Sequence, residues 1–382
     1  MSTFGLYLHI PFCVKKCNYC DFLSFPAKEA LKDEYVKALA MEMQLWKDKV
    51  SNDAVDTIFI GGGTPSLLTD GQFDVLQNEM VKSFHLSDKM EYTIECNPGT
   101  VDAEKLKNYK KAGVNRISFG LQSTISSELT CLGRIHSYDD FLVSFHQARE
   151  CGFANINVDL MSAIPEQTVA GYEQTLTRVC ELAPEHISSY SLILEEGTPF
   201  YEKYGECPPV SEEEDRQMYE LTKERLSDFG YHRYEISNYA KAGKECDHNK
   251  KYWKRFPYLG LGLGASSCME NVRFSNERNF KTYGQKIKNG KLPVVEKEEL
   301  TKEDCMAEFM YLGLRMMEGV SESRFEDTFG CAIEDVYGKE LKKLEADGLV
   351  QREGGKIFLT DRGIDISNTV MTWFLQDEEE EE

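Results

Sequence analysis

The sequence has no apolar run approaching the ~20 residues that a membrane-spanning helix needs. Its first stretch, Met1 to Pro11, has neither a basic start nor the apolar centre of a secretory signal. Positive charge is also scarce, since 44 Lys and Arg residues face 65 Asp and Glu residues and give a net charge of -21. Such an acidic chain is not expected to bind nucleic acid or an anionic membrane. These deficits predict a cytoplasmic protein without stable membrane insertion.

Cysteine is plentiful, with 12 residues, but over 382 residues it is too dilute for a secreted disulfide scaffold. Nine of the twelve stand alone, and we interpret these as small buried hydrophobes. The other three form the cluster Cys13-Val-Lys-Lys-Cys17-Asn-Tyr-Cys20. This cluster is therefore the first place to look for chemistry.

Six short apolar or β-branched runs alternate with stretches of helical periodicity. The predicted strands are Phe4–Ile10, Asp56–Ile60, Glu91–Glu95, Asn115–Leu121, Asn155–Leu160 and Ile187–Leu194. Apolar residues between positions 31 and 46, 73 and 80, and 141 and 148 recur at ~3.6 residues and predict helices. Alternation of this kind implies parallel strands with right-handed crossovers. We predict an α/β fold, rolled into a partial (β/α)6 barrel, although periodicity alone does not separate a barrel from an open sheet.

The pattern changes after about Pro293, where helices dominate. We assign residues 1–293 to the barrel domain with an extension and residues 294–376 to a small, mostly helical domain. Predicted helices at 303–317 and 333–347 and a hairpin at 349–359 give this domain a winged-helix-like form. Its basic residues are offset by acidic ones, so we interpret it as a structural cap rather than a DNA-binding module. The acidic tail, 377–382, is predicted to be disordered.

The cysteine cluster follows the first predicted strand directly, and parallel α/β domains place their chemistry at that strand edge. Zinc is the first alternative, but no second Cys or His pair follows at a typical distance. Three thiolates without an evident fourth ligand suit a [4Fe-4S] cluster that leaves one iron open. Cys13, Cys17 and Cys20 are therefore the predicted metal ligands.

The gaps of three and then two residues between these cysteines are typical of the radical S-adenosylmethionine superfamily. Further motifs extend the likeness along nearly the whole chain: Tyr7-Leu-His9-Ile-Pro11-Phe12-Cys13, Gly61-Gly62-Gly63-Thr64-Pro65, Glu95-Cys96-Asn97-Pro98-Gly99-Thr100, Gly120-Leu121-Gln122-Ser123 and Leu132-Gly133-Arg134-Ile135-His136. Together they resemble the oxygen-independent coproporphyrinogen III oxidase family, and within it the HemW-like branch of heme chaperones. This resemblance implies a radical S-adenosylmethionine barrel and a cofactor held on the open iron.

The resemblance also implies a set of cofactor-binding residues. It puts Tyr7 against the sulfonium side of S-adenosylmethionine and Tyr19 near the adenine. Arg134 is expected to pair with the cofactor carboxylate and Asp159 to contact the ribose. The remaining implied contacts are Gly62, Gly63 and Thr64 at the amino-acid end, Glu95, Gln122 and Ser191. The sequence departs from the family at Met161-Ser162-Ala163, where a tyrosine and a glycine are common, which puts the contacts of that loop in doubt.

Two departures separate the chaperone branch from the oxidases that the family also contains. Phe22 stands where the oxidases carry a fourth cysteine, and only twelve residues precede Cys13. His248-Asn249-Lys250-Lys251-Tyr252-Trp253 matches a motif typical of the HemW-like branch. Imidazole is a common heme ligand and aromatic rings offer flat apolar faces. His248, Tyr252 and Trp253 are therefore the heme candidates.

Our leading hypothesis is a heme chaperone that binds heme and transfers it to acceptor proteins, with a [4Fe-4S] cluster and S-adenosylmethionine as further cofactors. The alternative is oxidative decarboxylation of coproporphyrinogen III to protoporphyrinogen IX. A third class is a cluster-bearing redox or structural module that handles neither. Catalytic residues are not assigned, and a homo-oligomer is left open.

Overall fold

Six parallel strands fill the first half of the chain in the computed structural model, which describes residues 2–205 and 207–375. The predicted disordered tail, 377–382, lies outside the described residues. The strands are β1 (Thr3–Ile10), β2 (Ala54–Gly62), β3 (His85–Cys96), β4 (Arg116–Gln122), β5 (Ile156–Ser162) and β6 (His186–Ser191). They pair in chain order, each parallel to the next. All six predicted strands are therefore confirmed.

Helices connect these strands and pack their apolar sides on the sheet. They are α1 (Glu29–Lys47), α2 (Asp70–Ser83), α3 (Ala103–Lys111), α4 (Ser126–Leu132), α5 (Tyr138–Glu150) and α6 (Val169–Glu181). Thr69 and Ser137 begin α2 and α5 with capping boxes, which satisfy backbone N–H groups at the helix start. The main apolar core lies between helices and sheet, with Leu6, Leu8 and Ile58 fully buried. Burial of strands from both sides is what a parallel sheet requires.

Further strands extend the sheet at both edges, where β9 is parallel to β1 and β8 is antiparallel to β6, so the full order is β12-β11-β10-β9-β1-β2-β3-β4-β5-β6-β8-β7. These elements are α7 (Pro199–Tyr204), α8 (Glu212–Asp228), β7 (His232–Glu235), β8 (Asn238–Ala240), α9 (Asp247–Trp253), β9 (Tyr258–Leu261), β10 (Ser266–Met269), β11 (Val272–Asn276), α10 (Phe280–Lys288) and β12 (Val294–Glu299). Because β1 pairs with β9 and β6 with β8, the six-stranded parallel array stays open. The predicted partial (β/α)6 arrangement is confirmed.

A smaller unit with its own apolar core follows. It consists of α11 (Lys302–Gly313), β13 (Val320–Ser321), α12 (Glu322–Phe329), α13 (Ile333–Ala346), β14 (Val350–Glu353), β15 (Lys356–Leu359), α14 (Asp361–Asp365) and α15 (Ser367–Thr372). The hairpin β14–β15 gains β13 as a third strand. This confirms a mostly helical, winged-helix-like domain, although the sequence analysis did not predict α12, α14 or α15.

The division between the two units is best drawn after β12. Val272 to Asn276 pair with residues up to Glu299, so β12 belongs to the large sheet. We propose a boundary near Leu300 in place of the expected 293–294. No helix among the described residues has the length and apolarity needed to cross a membrane.

Candidate functional site

The three clustered cysteines lie in the loop that follows β1. Backbone hydrogen bonds from Cys13 to Phe25 and from Phe25 to Pro11 fold this loop back on itself. Asn18 fastens its middle, because its backbone N–H reaches the carbonyl of Leu132 at 3.0 Å and its side-chain amide that of Cys131 at 2.8 Å. The loop is therefore tied to the end of α4, which brings the cysteines to the carboxyl edge of the sheet.

The thiols of Cys13, Cys17 and Cys20 are all partly exposed and border one hollow of about 130 Å³. Burial raises the pKa of Cys20 to about 11, so this thiol stays protonated until a metal displaces the proton. Within residues 2–205 and 207–375 no group of three or more His, Cys, Asp or Glu side chains is arranged to hold a single metal ion. The three thiols line a hollow rather than a closed ion site.

The glycines that end β2 are needed for close packing against β1. A Cβ on Gly62, whose φ is +109°, would lie 2.4 Å from the His9 ring, and one on Gly63 would lie 2.7 Å from the Phe12 carbonyl. His9 in turn bonds to the Leu23 carbonyl at 2.8 Å, which supports the cysteine loop from below. The expected cofactor role for these glycines is thus accompanied by a structural one.

A carboxyl and an amide group at the end of β3 contact the segment that ends β2. Glu95 accepts a hydrogen bond from the Gly62 backbone N–H at 3.0 Å, and burial raises the pKa of Glu95 to about 8. Asn97 donates to Thr64 Oγ1 at 2.8 Å. Thr64 Oγ1 lies 3.6 Å from Cys13 Sγ, so the hydrogen-bonded chain reaches the thiols.

Arg134 joins this edge to the cysteine loop. Its Nη2 donates to Asn97 Oδ1 at 2.8 Å and to the Gly120 carbonyl, while Nη1 donates to Cys17 Sγ at 3.6 Å. Its Nε is buried without a hydrogen-bond partner. The guanidinium therefore brings a positive charge directly to a cluster thiol.

Gln122 ends β4, and Asp159 lies in the middle of β5. Gln122 has φ +74°, a left-handed conformation that costs energy in any residue but glycine, and the β4–β5 register shifts beside it. Asp159 accepts hydrogen bonds from Asn157 at 2.7 Å and Ser118 at 3.4 Å, and burial raises its pKa. Strain of this kind is typical of functional positions.

One hollow thus collects most of the predicted site, and we call its lining the cluster rim. It comprises Cys13, Cys17, Tyr19, Cys20, Gly62, Gly63, Thr64, Glu95, Gln122, Arg134 and Asp159. Tyr7 lines a neighbouring cavity, and Ser191 lines neither, because its hydroxyl donates to Asp215 at 2.6 Å. The sequence analysis did not assign Asn97, Ser118 and Gly120, which also border the rim, although Asn97 directly follows β3 in a motif of the family.

His248 lies inside the barrel, 1% exposed, on the wall of a cavity of about 200 Å³. Thr57 Oγ1 lies 2.9 Å from its Nδ1 and Tyr252 Oη lies 2.8 Å from its Nε2. Burial lowers the pKa of His248 to about 3, so the ring is neutral. In this conformation neither ring nitrogen is available to an iron atom.

Trp253 faces away from His248 and Tyr252, although all three belong to α9. Residues 248 and 252 are one turn apart and share the inner face of the helix. Trp253 packs beside Tyr234 and Met316, and the Arg315 guanidinium stacks 4.4 Å from its ring. The three heme candidates therefore do not form one surface.

Family profiles match both units of the chain. The Radical SAM superfamily profile matches residues 7–179, and the HemN C-terminal domain profile matches residues 300–366. The first range contains the cluster rim and the second most of the small unit.

Curated relatives match over nearly the full length. The heme chaperone HemW of Bacillus subtilis is 39% identical, over 97% of this chain and 98% of its own. That of Escherichia coli is 34% identical, over 98% and 99%. Among solved structures, coproporphyrinogen III oxidase (HemN) of Escherichia coli, described as a radical SAM enzyme, gives a TM-score of 0.88 at 24% identity, covering 98% of this chain and 90% of that one. The structural likeness shows the shared fold.

Proposed function

The chain belongs to the HemW family of heme chaperones within the radical SAM superfamily, and on that premise we propose that it binds heme and transfers it to acceptor proteins. The observation that carries the proposal is the likeness to HemW proteins along both units of the chain. A [4Fe-4S] cluster and S-adenosylmethionine are part of the proposal, and the cluster rim is their site.

The rim fits a cluster held by Cys13, Cys17 and Cys20. All three thiols reach one hollow, and Arg134 brings a positive charge to Cys17 Sγ at 3.6 Å. With one iron left open, such a cluster supplies electron transfer to a bound sulfonium.

The rest of the rim fits S-adenosylmethionine, a ligand with cationic sulfonium and ammonium groups and an anionic carboxylate. Glu95 and Asp159 present carboxyl groups to the cations, and Gln122 projects into the hollow from its strained backbone. Tyr19, Gly63 and Thr64 complete the wall. Tyr7 and Ser191, which the resemblance also implies, do not line the rim. We propose that they act from outside it, Tyr7 from the neighbouring cavity and Ser191 through its hydrogen bond to Asp215.

Oxidase activity remains the alternative. Phe22, 63% exposed, borders the rim where the oxidases carry a fourth cysteine. This favours the chaperone over coproporphyrinogen decarboxylation. We further propose that the protein acts in the cytoplasm, with heme and heme-accepting proteins as its partners.

Anaerobic reconstitution of the cluster followed by paired assays tests the proposal. The protein should retain heme through gel filtration and pass it to an apo-heme protein, while coproporphyrinogen III and S-adenosylmethionine yield no protoporphyrinogen IX. Efficient decarboxylation would establish the oxidase instead. Failure to retain heme would reject both heme binding and transfer.

A further inference from the structure

A groove lies where α9 meets the small unit, on the side of the helix opposite His248. Its walls come from both units: Trp253, Lys254, Phe309, Met316, Arg324 and Lys356. We call it the junction groove. Trp253 and Phe309 give it aromatic sides, and it measures about 140 Å³.

Arg324 is the unusual member of this groove. Its guanidinium is held between two rings, 4.8 Å from that of Phe256 and 5.0 Å from that of Phe309, and it donates a hydrogen bond to the Lys254 carbonyl. No carboxylate among the described residues lies within 4.0 Å of it, unlike most arginines of the chain. A half-buried guanidinium without a carboxylate keeps donors free for an anion.

The surrounding charge points the same way. Lys254 and Lys356 share one carboxylate, that of Glu318, which bonds to both. With Arg324 the groove therefore carries three cations against one anion, a local excess of positive charge in a chain whose net charge is -21. Its ligand should combine carboxylates with a flat apolar body, because aromatic walls and an excess of positive charge are found together.

We propose that the junction groove docks the propionate edge of a heme, with the propionates on Arg324 and Lys356 and the ring against Trp253 and Phe309. This inference rests on the proposed function and gives heme a place distinct from His248. The groove is below the roughly 300–1,000 Å³ of pockets that enclose a whole ligand. Only one edge of the heme is held, and the rest of the ring stays open to an acceptor.

The competing explanation is that Arg324 only clamps the two units together through its two rings. Lys356 provides the means to separate the explanations. It reaches the groove from β15, pairs with Glu318 at 3.5 Å and stacks on no ring. Removal of the Lys356 charge should weaken the binding of a propionate and leave the packing of Arg324 between its two rings intact.

The test is a titration of cluster-containing protein with heme and with heme dimethyl ester, followed by the Soret band. The ester keeps the ring and the iron but lacks the carboxylates. Wild-type protein should bind heme about tenfold more tightly than the ester, and Arg324→Gln and Lys356→Gln should each lose most of that preference. Lys288→Gln, which removes another exposed lysine that pairs with a carboxylate, from the end of α10 to Glu34 on α1, is the matched control and should keep the preference.

The outcomes separate this inference from the proposed function. If wild-type protein binds neither form, heme binding itself fails. If it binds both equally, or if both variants keep the preference, heme binds elsewhere and the groove assignment is overturned. Loss of preference in Arg324→Gln alone, with a lowered melting temperature, identifies the clamp and also overturns the assignment. Capture of an acidic peptide with no effect of heme would assign the groove to a protein partner instead.

Discussion

The cluster rim and the junction groove are built in opposite ways. At the rim, polar groups from the ends of successive strands are bonded to one another, as Arg134 is to Asn97 and Glu95 is to Gly62. At the groove, two units with separate apolar cores meet, and no carboxylate of the described residues pairs with Arg324. A preorganised rim suits a resident cofactor, whereas an unpaired cation on an open groove suits a ligand that is handed on.

The largest expected effect is loss of the cluster at the rim, with heme binding at the groove unchanged. Cys13→Ala, Cys17→Ala or Cys20→Ala should each lower cluster iron after anaerobic reconstitution to below about a tenth of wild type, since the three thiolates bind as a unit. The preference for heme over its dimethyl ester should persist. Iron content and the Soret titration measure the two properties.

Cys207→Ala, at an exposed lone cysteine, is the matched control and should keep its iron. If the cysteine variants lose the ester preference along with the iron, the two regions are not independent and the contrast between them is broken.

The same contrast explains what the sequence could predict. The motifs on successive strands predict the residues of the rim, because parallel strands bring residues such as Glu95 and Asp159 to one edge of the sheet. This placement does not depend on the conformation of the loops. Ser191 fits that rule and still misses the rim, since α8 brings Asp215 to its hydroxyl. The orientation of α9 and the groove depend on packing between distant segments, for which Trp253 and Arg324 carry no local signal.

The next effect is a pH dependence that belongs to the rim. Glu95 has its pKa raised to about 8 in the folded protein, against an unfolded value of 4.5. Its contribution to the free energy of unfolding is therefore fully present below pH 4.5 and is lost as pH rises from 4.5 through 8, by about 5 kcal/mol in total for the cluster-free protein. Glu95→Gln should flatten this slope in urea unfolding measured from pH 5 to pH 9.

Part of the slope should remain in that variant, because burial also raises the pKa of Glu42 to about 7. Glu298→Gln, an exposed carboxyl on β12, is the control. At the groove, burial tends to raise the pKa of Glu318, but the hydrogen bond from Lys254 outweighs it and the pKa is lowered. The charge of Glu318 is therefore constant over this range. An unchanged slope in Glu95→Gln would show that its carboxyl is not the titrating group.

A smaller effect separates the two faces of α9. His248→Ala leaves Thr57 and Tyr252 without their buried partner and should lower the free energy of unfolding by about 1–3 kcal/mol. The heme affinity should stay within about twofold, which is small against the tenfold effects expected at the groove. His232→Ala, an exposed histidine on β7, is the control. Loss of the heme spectrum in His248→Ala would instead place the heme iron at this ring.

The smallest effect concerns backbone strain, which is present at a non-glycine residue of the rim and is relieved by a glycine at the groove. The groove has a glycine at its left-handed position, Gly319 with φ +67°, whereas the rim has Gln122 at φ +74°. Gln122→Gly should raise the free energy of unfolding by up to about 1 kcal/mol, because relief of the left-handed strain exceeds the added chain entropy. It should also weaken S-adenosylmethionine binding, since the amide that projects into the hollow is lost.

Urea unfolding and equilibrium dialysis measure the two quantities, with Gln122→Asn as the control that keeps an amide and tolerates the conformation. Lower stability in the glycine variant would show that the side chain holds the strand end, and the strain would then have no link to ligand binding.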